Sequence, residues 1–291
     1  MMAAADPAQF ESERLDQSAK LGKSDIPEVA RRQSLPEPAL ARACHTANPA
    51  AIAGNRGSSE VARVSGKVDA VRVPKEIYFA SRVMQSPRPD IHIVGHWTYP
   101  KGTKKTVYVF ASHCDSVELT LEGKSIGKNN HPADGYVYAF PDITWSAGTL
   151  KATGYRDGNP VCTHELTTVG EAKAIKLTPI VGPGGLKADG QDVALFDVEV
   201  VDAQGRRCPT DESRIDFTVT GPALWRGGYN SGIVDSTNNL FLNTECGINR
   251  VAIRSTLTPG AIALTATRKS LTPATAELSS ATVALEKDSP G

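Results

Sequence analysis

Between Gly221 and Arg250 the chain reads GPALWRGGYNSGIVDSTNNLFLNTECGINR, the stretch whose residue types best suit chemistry. Trp225 and Tyr229 offer aromatic faces that can stack on the apolar side of a pyranose ring. Arg226, Asn230, Asn238 and Asn239 add donors and acceptors for sugar hydroxyls or for a partner surface. With Gly227, Gly228 and Gly232 relieving the backbone, the segment reads as a long connection on a rigid scaffold, a common place for function. The same Trp225 and Tyr229 would serve equally as a plug for the end of a β-sandwich, and both readings stay open.

Other chemistries find less. His92 and His96 are four apart, which would suit a metal on a helix, but Ile91, Val94 and Trp97 predict a strand and no third ligand is identifiable. Packing or interdomain hydrogen bonding is the expected role of these imidazoles, and His113, His131 and His164 show no ligand spacing. The five cysteines, Cys44, Cys114, Cys162, Cys208 and Cys246, include no Cys-x-x-Cys, so neither a zinc knuckle nor a thioredoxin-type redox pair is read. They are expected to be reduced structural thiols, with Cys208 and Cys246 able to pair only if their strands are neighbours. A Gly-x-Ser-x-Gly elbow is missing, and GPGGL lacks the Lys-Ser/Thr ending of a phosphate loop. No metal, no cofactor and no catalytic residue are assigned. Lys plus Arg equals Asp plus Glu at 32 each, so there is no cationic excess for nucleic acid or an anionic membrane. Neither a signal peptide nor a run of about 18 apolar residues is read in the sequence.

The elements that must position these residues follow from periodicity. Residues 1–62 are rich in Ala, Arg, Pro, Ser and Gly, with Phe10 their only aromatic, and are expected to be disordered apart from a short helix at 8–20. Residues 63–88 hold one helix, with Pro74 at its first position, Ile77, Ala80, Ser81 and Met84 at helical spacing, and Pro87 and Pro89 closing it. The period then changes to 2. IHIVGHW (91–97), TVYVFAS (106–112), the alternation at Val117, Leu119 and Leu121, that at Tyr136, Tyr138 and Phe140, then TLKATGY (149–155) and PVCTHELT (160–167) predict a first sandwich over 89–172. AIKLTP (173–178), a linker VGPGGLKADGQD, the alternations at Phe196–Val200 and Ile215–Val219, INRVAIRS (248–255) and AIALTATR (261–268) predict a second over 173–285, with 286–291 a loose tail. The fold class is all-β: two consecutive immunoglobulin-like β-sandwiches.

From about Val64 to Ser280 the chain resembles the C-terminal third of a bacterial glycoside hydrolase family 2 enzyme of the β-galactosidase type. VDAVRVPKEIYFASRVMQSPRPDIHIVGHWTYP is similar to the junction where the last helix of that family's catalytic (β/α)8 barrel enters a small sandwich. VYVFASHCDSVELTLEGKSIGK resembles that sandwich, and GPALWRGGYNSG with TNNLFLNTECGINRVAIRSTLTPGAIALTATRKSLTPATAEL resembles the terminal immunoglobulin-like domain. The family's acid/base glutamate follows an asparagine directly, and no Asn-Glu dipeptide occurs here. Retaining hydrolysis needs two carboxyl groups about 5 Å apart, which residues 1–62 could not build. The resemblance therefore implies an accessory region without catalysis of its own, from a truncated or frameshifted gene product. It also implies packing of the sandwiches on a barrel, and weak contact of Trp225–Asn239 with a β-galactoside or glycan. Ile77, Tyr78, Phe79 and Val83 would then be partly exposed and prone to self-association. A carbohydrate-binding module, or an immunoglobulin-like structural or adhesive module, is the alternative.

Overall fold

The computed structural model describes residues 67–69, 71–230 and 238–283. The expected disorder of 1–62, the helix at 8–20 and the loose tail at 286–291 lie outside the described residues. Two compact units divide the chain: Pro74–Thr168 forms the first, and residues 67–73 join Val169 onward in the second.

The first unit begins with helix α1 (Glu76–Gln85). Seven strands follow: β1 (Asp90–Ile93), β2 (Lys104–Ser112), β3 (Ser116–Leu121), β4 (Lys124–Asn129), β5 (Val137–Thr144), β6 (Thr149–Arg156) and β7 (Asn159–Thr167). They form antiparallel sheets in the orders β1-β2-β5 and β4-β3-β6-β7. Two tight hairpins set the second sheet's register. Glu122–Gly123 and Asp157–Gly158 each place two successive residues at positive φ (48° and 76°, 51° and 77°), the twist that two-residue hairpins need. Alternation then sends Val107 and Val109 of β2, Val117 and Leu119 of β3, Tyr138 and Phe140 of β5, and Leu150 and Ala152 of β6 into one core around Trp97.

Helix α1 covers the other face of the β1-β2-β5 sheet, where Ala80 and Val83 pack with Val94, Phe110 and Val137. This corrects two expectations. Pro74 stands ahead of the N-cap residue Lys75 and not inside the helix. Val83 is fully buried because the sheet buries both faces, and Tyr78 and Met84 are the helix's exposed large apolar residues. Arg82, in the last turn, is paired with Asp90 at 2.8 Å.

Among the described residues, nine strands build the second unit: β8 (Ala174–Ile180), β9 (Leu186–Lys187), β10 (Val193–Val201), β11 (Arg214–Thr220), β12 (Ala223–Gly228), β13 (Phe241–Asn243), β14 (Ile248–Ser255), β15 (Gly260–Thr267) and β16 (Ala274–Ala281). The two sheets run β12-β14-β10-β8 and β13-β11-β15-β16-β9. All pairs are antiparallel except β16 with β9. Phe196, Val198 and Val200 meet Ile215, Phe217, Leu242, Val251, Ile253, Ile262 and Leu264 between them. The expected linker at 181–192 is instead docked, with Leu186 of β9 only 2% exposed in this core. The turn after β10 is organised by a buried carboxylate. Asp202 accepts from the backbone N–H groups of Gln204, Arg206 and Gly170 and from the Arg206 guanidinium, all within 3.0 Å. Burial opposes its charge, but these donors outweigh burial and hold its carboxyl well below the usual carboxylate range.

Candidate contact site at the β12–β13 edge

The decorated segment is not one long loop. Ala223–Gly228 pairs with β14 as strand β12, although its Gly-Gly reads as a turn in sequence. Gly228 is what this pairing requires, because a Cβ there would lie 2.5 Å from the Arg250 carbonyl oxygen. Trp225 pairs with Ile253 and Gly227 with Ala252, so Arg226 is an extra, bulged residue and its side chain is exposed.

Trp225 is half-buried. Its ring meets Phe217 on β11 of the facing sheet, centroids 5.1 Å apart at 32°, and its indole N–H donates to the Asn239 carbonyl at 2.9 Å. Gly227, at φ 71°, lets the chain near Asn238 close over the indole, since a Cβ would come within 3.1 Å of the Asn238 nitrogen and 3.3 Å of Trp225 Nε1. Asn238, at φ 62°, and Asn239 are exposed beside it.

Tyr229 and Asn230 belong to a second arrangement. Asn230 is 1% exposed. Its Nδ2 donates to the Asn243 carbonyl and to Glu245 Oε1, and its Oδ1 accepts from the Asn243 N–H at 2.8 Å. Asn249 donates to the same Asn243 carbonyl and to that of half-buried Tyr229. This amide network ties the strand ends on either side of residues 231–237, with the Asn230 side chain turned inward. The six sequence-selected residues thus divide: Trp225, Arg226, Asn238 and Asn239 share one edge, while Tyr229 and Asn230 anchor the base.

Sequence spacing missed two further groupings. The predicted strand 91–97 stops at Ile93, because Gly95 at φ 87° turns the chain and sends His92 and His96 to different partners. His96 stacks on Tyr99, centroids 4.3 Å apart. His92 stacks on Phe79 at 4.2 Å, meets Glu76 at 2.8 Å and lies 4.8 Å from the His164 ring, so its contacts are within the first unit rather than between domains. His164 Nδ1 accepts from the Ile93 N–H at 3.1 Å, which requires an unprotonated Nδ1. Burial, with His92 beside it, pushes its pKa down to about 4. Among the described residues, no group of three or more His, Cys, Asp or Glu side chains could hold a metal ion.

The second grouping joins two cysteines that the sequence reading did not connect. Cys114 and Cys162, 48 residues apart, bring their sulfurs to 3.5 Å. Cys208 and Cys246 are both buried in the second unit.

Residues 182–277 match glycoside hydrolase family 2 C-terminal domain 5, and residues 102–162 match a domain of unknown function, DUF4982. A β-glucuronidase of Formosa agariphila is 55% identical over 73% of this chain and 22% of its own length. A β-galactosidase of Bacteroides ovatus is 30% identical over 74% of this chain and 25% of its own. The solved structure of a β-glucuronidase from glycoside hydrolase family 2 superposes with a TM-score of 0.76 at 52% identity, covering 78% of this chain and 24% of that one. A family 2 member from Bacteroides cellulosilyticus gives 0.69 at 26% identity, covering 74% and 31%. The chain spans about a quarter of the length of the curated relatives it matches. The chain accordingly carries, at residues 182–277, a glycoside hydrolase family 2 C-terminal domain, and over about three quarters of its length it is similar to part of family 2 proteins.

Proposed function

We propose that this region braces the catalytic part of a β-glucuronide hydrolase, with β-galactosides as the second substrate class, and that it does not hydrolyse glycosides by itself. One observation carries the reading: the relative named β-glucuronidase is 55% identical here, against 30% for the one named β-galactosidase. The expected β-galactosidase type therefore takes second place. Retaining hydrolysis needs two carboxyl groups about 5 Å apart across the anomeric carbon. The acids buried among the described residues are occupied otherwise, Asp69 by the N–H groups of Val71 and Val73 and Asp202 by its turn, and partly buried Asp211 pairs with Arg268 at 2.6 Å.

The β12–β13 edge is the proposed contact with the catalytic mouth or a glycan. Arg226 supports a uronic acid in particular, since an exposed guanidinium can take a carboxylate bidentately where an ammonium could not. Exposed Tyr78 and Met84 on α1 support packing on the rest of such an enzyme, or self-association of the isolated chain. The test is hydrolysis of p-nitrophenyl β-D-glucuronide and β-D-galactoside by the purified chain and by the chain joined to a catalytic domain from a relative. The chain alone should match the blank, and the joined protein should prefer the glucuronide. Turnover by the chain alone, lost on mutating one of its glutamates, would overturn the accessory reading. Micromolar glycan binding by the chain alone would instead favour a binding module.

A further inference from the structure

Cys114 lies in the short link between β2 and β3, and Cys162 lies on β7, the edge strand of its sheet. Between them runs β6, whose Gly154 is paired with both Cys162 and Val117. A glycine in the middle of a strand weakens it unless something must come close. Here the reason is the thiols: a Cβ on Gly154 would sit 2.5 Å from Cys114 Sγ and 2.7 Å from Cys162 Sγ. The absent side chain leaves the gap in which the two sulfurs meet at 3.5 Å across the strand. Both cysteines are half-buried at the rim of the first core. Cys114 Sγ also donates to the Ser112 carbonyl at 3.3 Å, and its own carbonyl accepts from the Tyr138 hydroxyl at 2.9 Å, which fixes the link on which it sits.

We propose that Cys114 and Cys162 are a dithiol site that closes to a disulfide over Gly154 when it meets a low-molecular-weight disulfide such as oxidised glutathione. The two cysteines play unequal parts. The hydrogen bond from the Cys162 thiol, aided by Arg156, holds the Cys114 thiol below its usual value, while the same bond and burial push Cys162 up. The Cys114 thiolate attacks one sulfur of the small disulfide, forms a mixed disulfide and expels one thiolate. Cys162 then loses its proton and attacks the Cys114 sulfur, and the second small thiolate leaves with that proton. Two protein thiols are oxidised and one small disulfide is reduced to two thiols. Closure needs the sulfurs to approach from 3.5 Å to about 2.05 Å.

The full chain, incubated with oxidised glutathione while folded, should lose two of its five titratable thiols. Peptide mapping should find one link, Cys114 to Cys162, and the melting temperature of the first unit should rise by at least about 5 °C. Cys162→Ser should stop at a single glutathione adduct on Cys114. Cys114→Ser should likewise stop at a single adduct, on Cys162, because no second thiol remains to close the ring. Gly154→Ala should abolish closure; if that variant does not fold, the two serine variants decide. Retention of all five thiols, a link to any other cysteine, or stable adducts on both cysteines would overturn the proposal.

Discussion

The two sandwiches solve the same packing problem with different polar groups. In the first unit the polar fittings at the rim of the core are rings and sulfurs: the Phe79–His92 stack, His164 with an unprotonated Nδ1, and the Cys114–Cys162 pair. In the second, connections between strands hold carboxylates paired with arginines, Asp202 with Arg206 and Asp211 with Arg268. A buried imidazole is most stable uncharged, whereas a buried carboxylate ringed by donors is most stable charged. The two units should therefore fail under different conditions although both are antiparallel β-sandwiches.

The largest effect should come from Asp202→Ala, which leaves the N–H groups of Gly170, Gln204 and Arg206 and the Arg206 guanidinium without their acceptor. Each buried donor left without its acceptor costs about 1–3 kcal/mol. Hydrogen exchange should show the second unit opening while the first keeps its protection; equal loosening of both would break the contrast. Next is Val83→Ser, which puts a hydroxyl among Ala80, Val94, Phe110 and Val137. It should cost the first unit about 2–3 kcal/mol in urea unfolding. Improved solubility with unchanged stability would mean that α1 does not seat on the sheet.

Acid should separate the units without mutation. His164 binds its proton near 6.5 when unfolded but near 4 when folded. Its neutral form is free of penalty above pH 6.5, and as pH falls toward about 4 the unfolded state gains a proton that the native state refuses. The first unit should lose up to about 1.4 kcal/mol per pH unit in that window. Glu76, Arg82, Asp90 and His92 face the same imidazole, so His164→Gln is the control that isolates it. The Asp202 carboxyl is depressed, so its contribution is fully present above the unfolded carboxylate pKa near 4 and is lost only as pH falls through its lower folded value. Trp97 and Trp145 report the first unit and Trp225 the second. Single-Trp fluorescence should show the first unit's stability falling at higher pH, and the reverse order would contradict the assignment.

The smallest effect belongs to Arg226→Ala. An exposed bulge residue should change stability by less than about 0.5 kcal/mol, while Trp225→Ala, losing the Phe217 contact and the Asn239 hydrogen bond, should cost about 2 kcal/mol. If Arg226→Ala unfolded the second unit as Trp225→Ala does, the edge would be purely structural.

Local sequence alone determined the strands that alternate cleanly. Phe196, Val198 and Val200 declare a half-buried strand by side-chain period, and Asp157-Gly158 declares its hairpin because the turn needs positive φ. The same text supplied the succession of two sandwiches and the Trp225–Asn239 segment as a candidate edge. Elements whose reason is non-local were invisible. Strand β12 carries Gly227-Gly228, which reads as a turn until the Arg250 carbonyl and the Trp225 indole are seen to need the space. Leu186 reads as linker until β16 offers a parallel edge. Val83 looked like an exposed helix face because nothing in a one-dimensional pattern says that β2 buries Phe110 on one side and Val109 on the other. Cys114 and Cys162 have no spacing signal at all, since what brings them together is the pairing of β7 with β6 and of β6 with β3. Periodicity encodes which face of an element is apolar. Which other element covers that face, and which distant side chains meet there, is decided only when the sheets close.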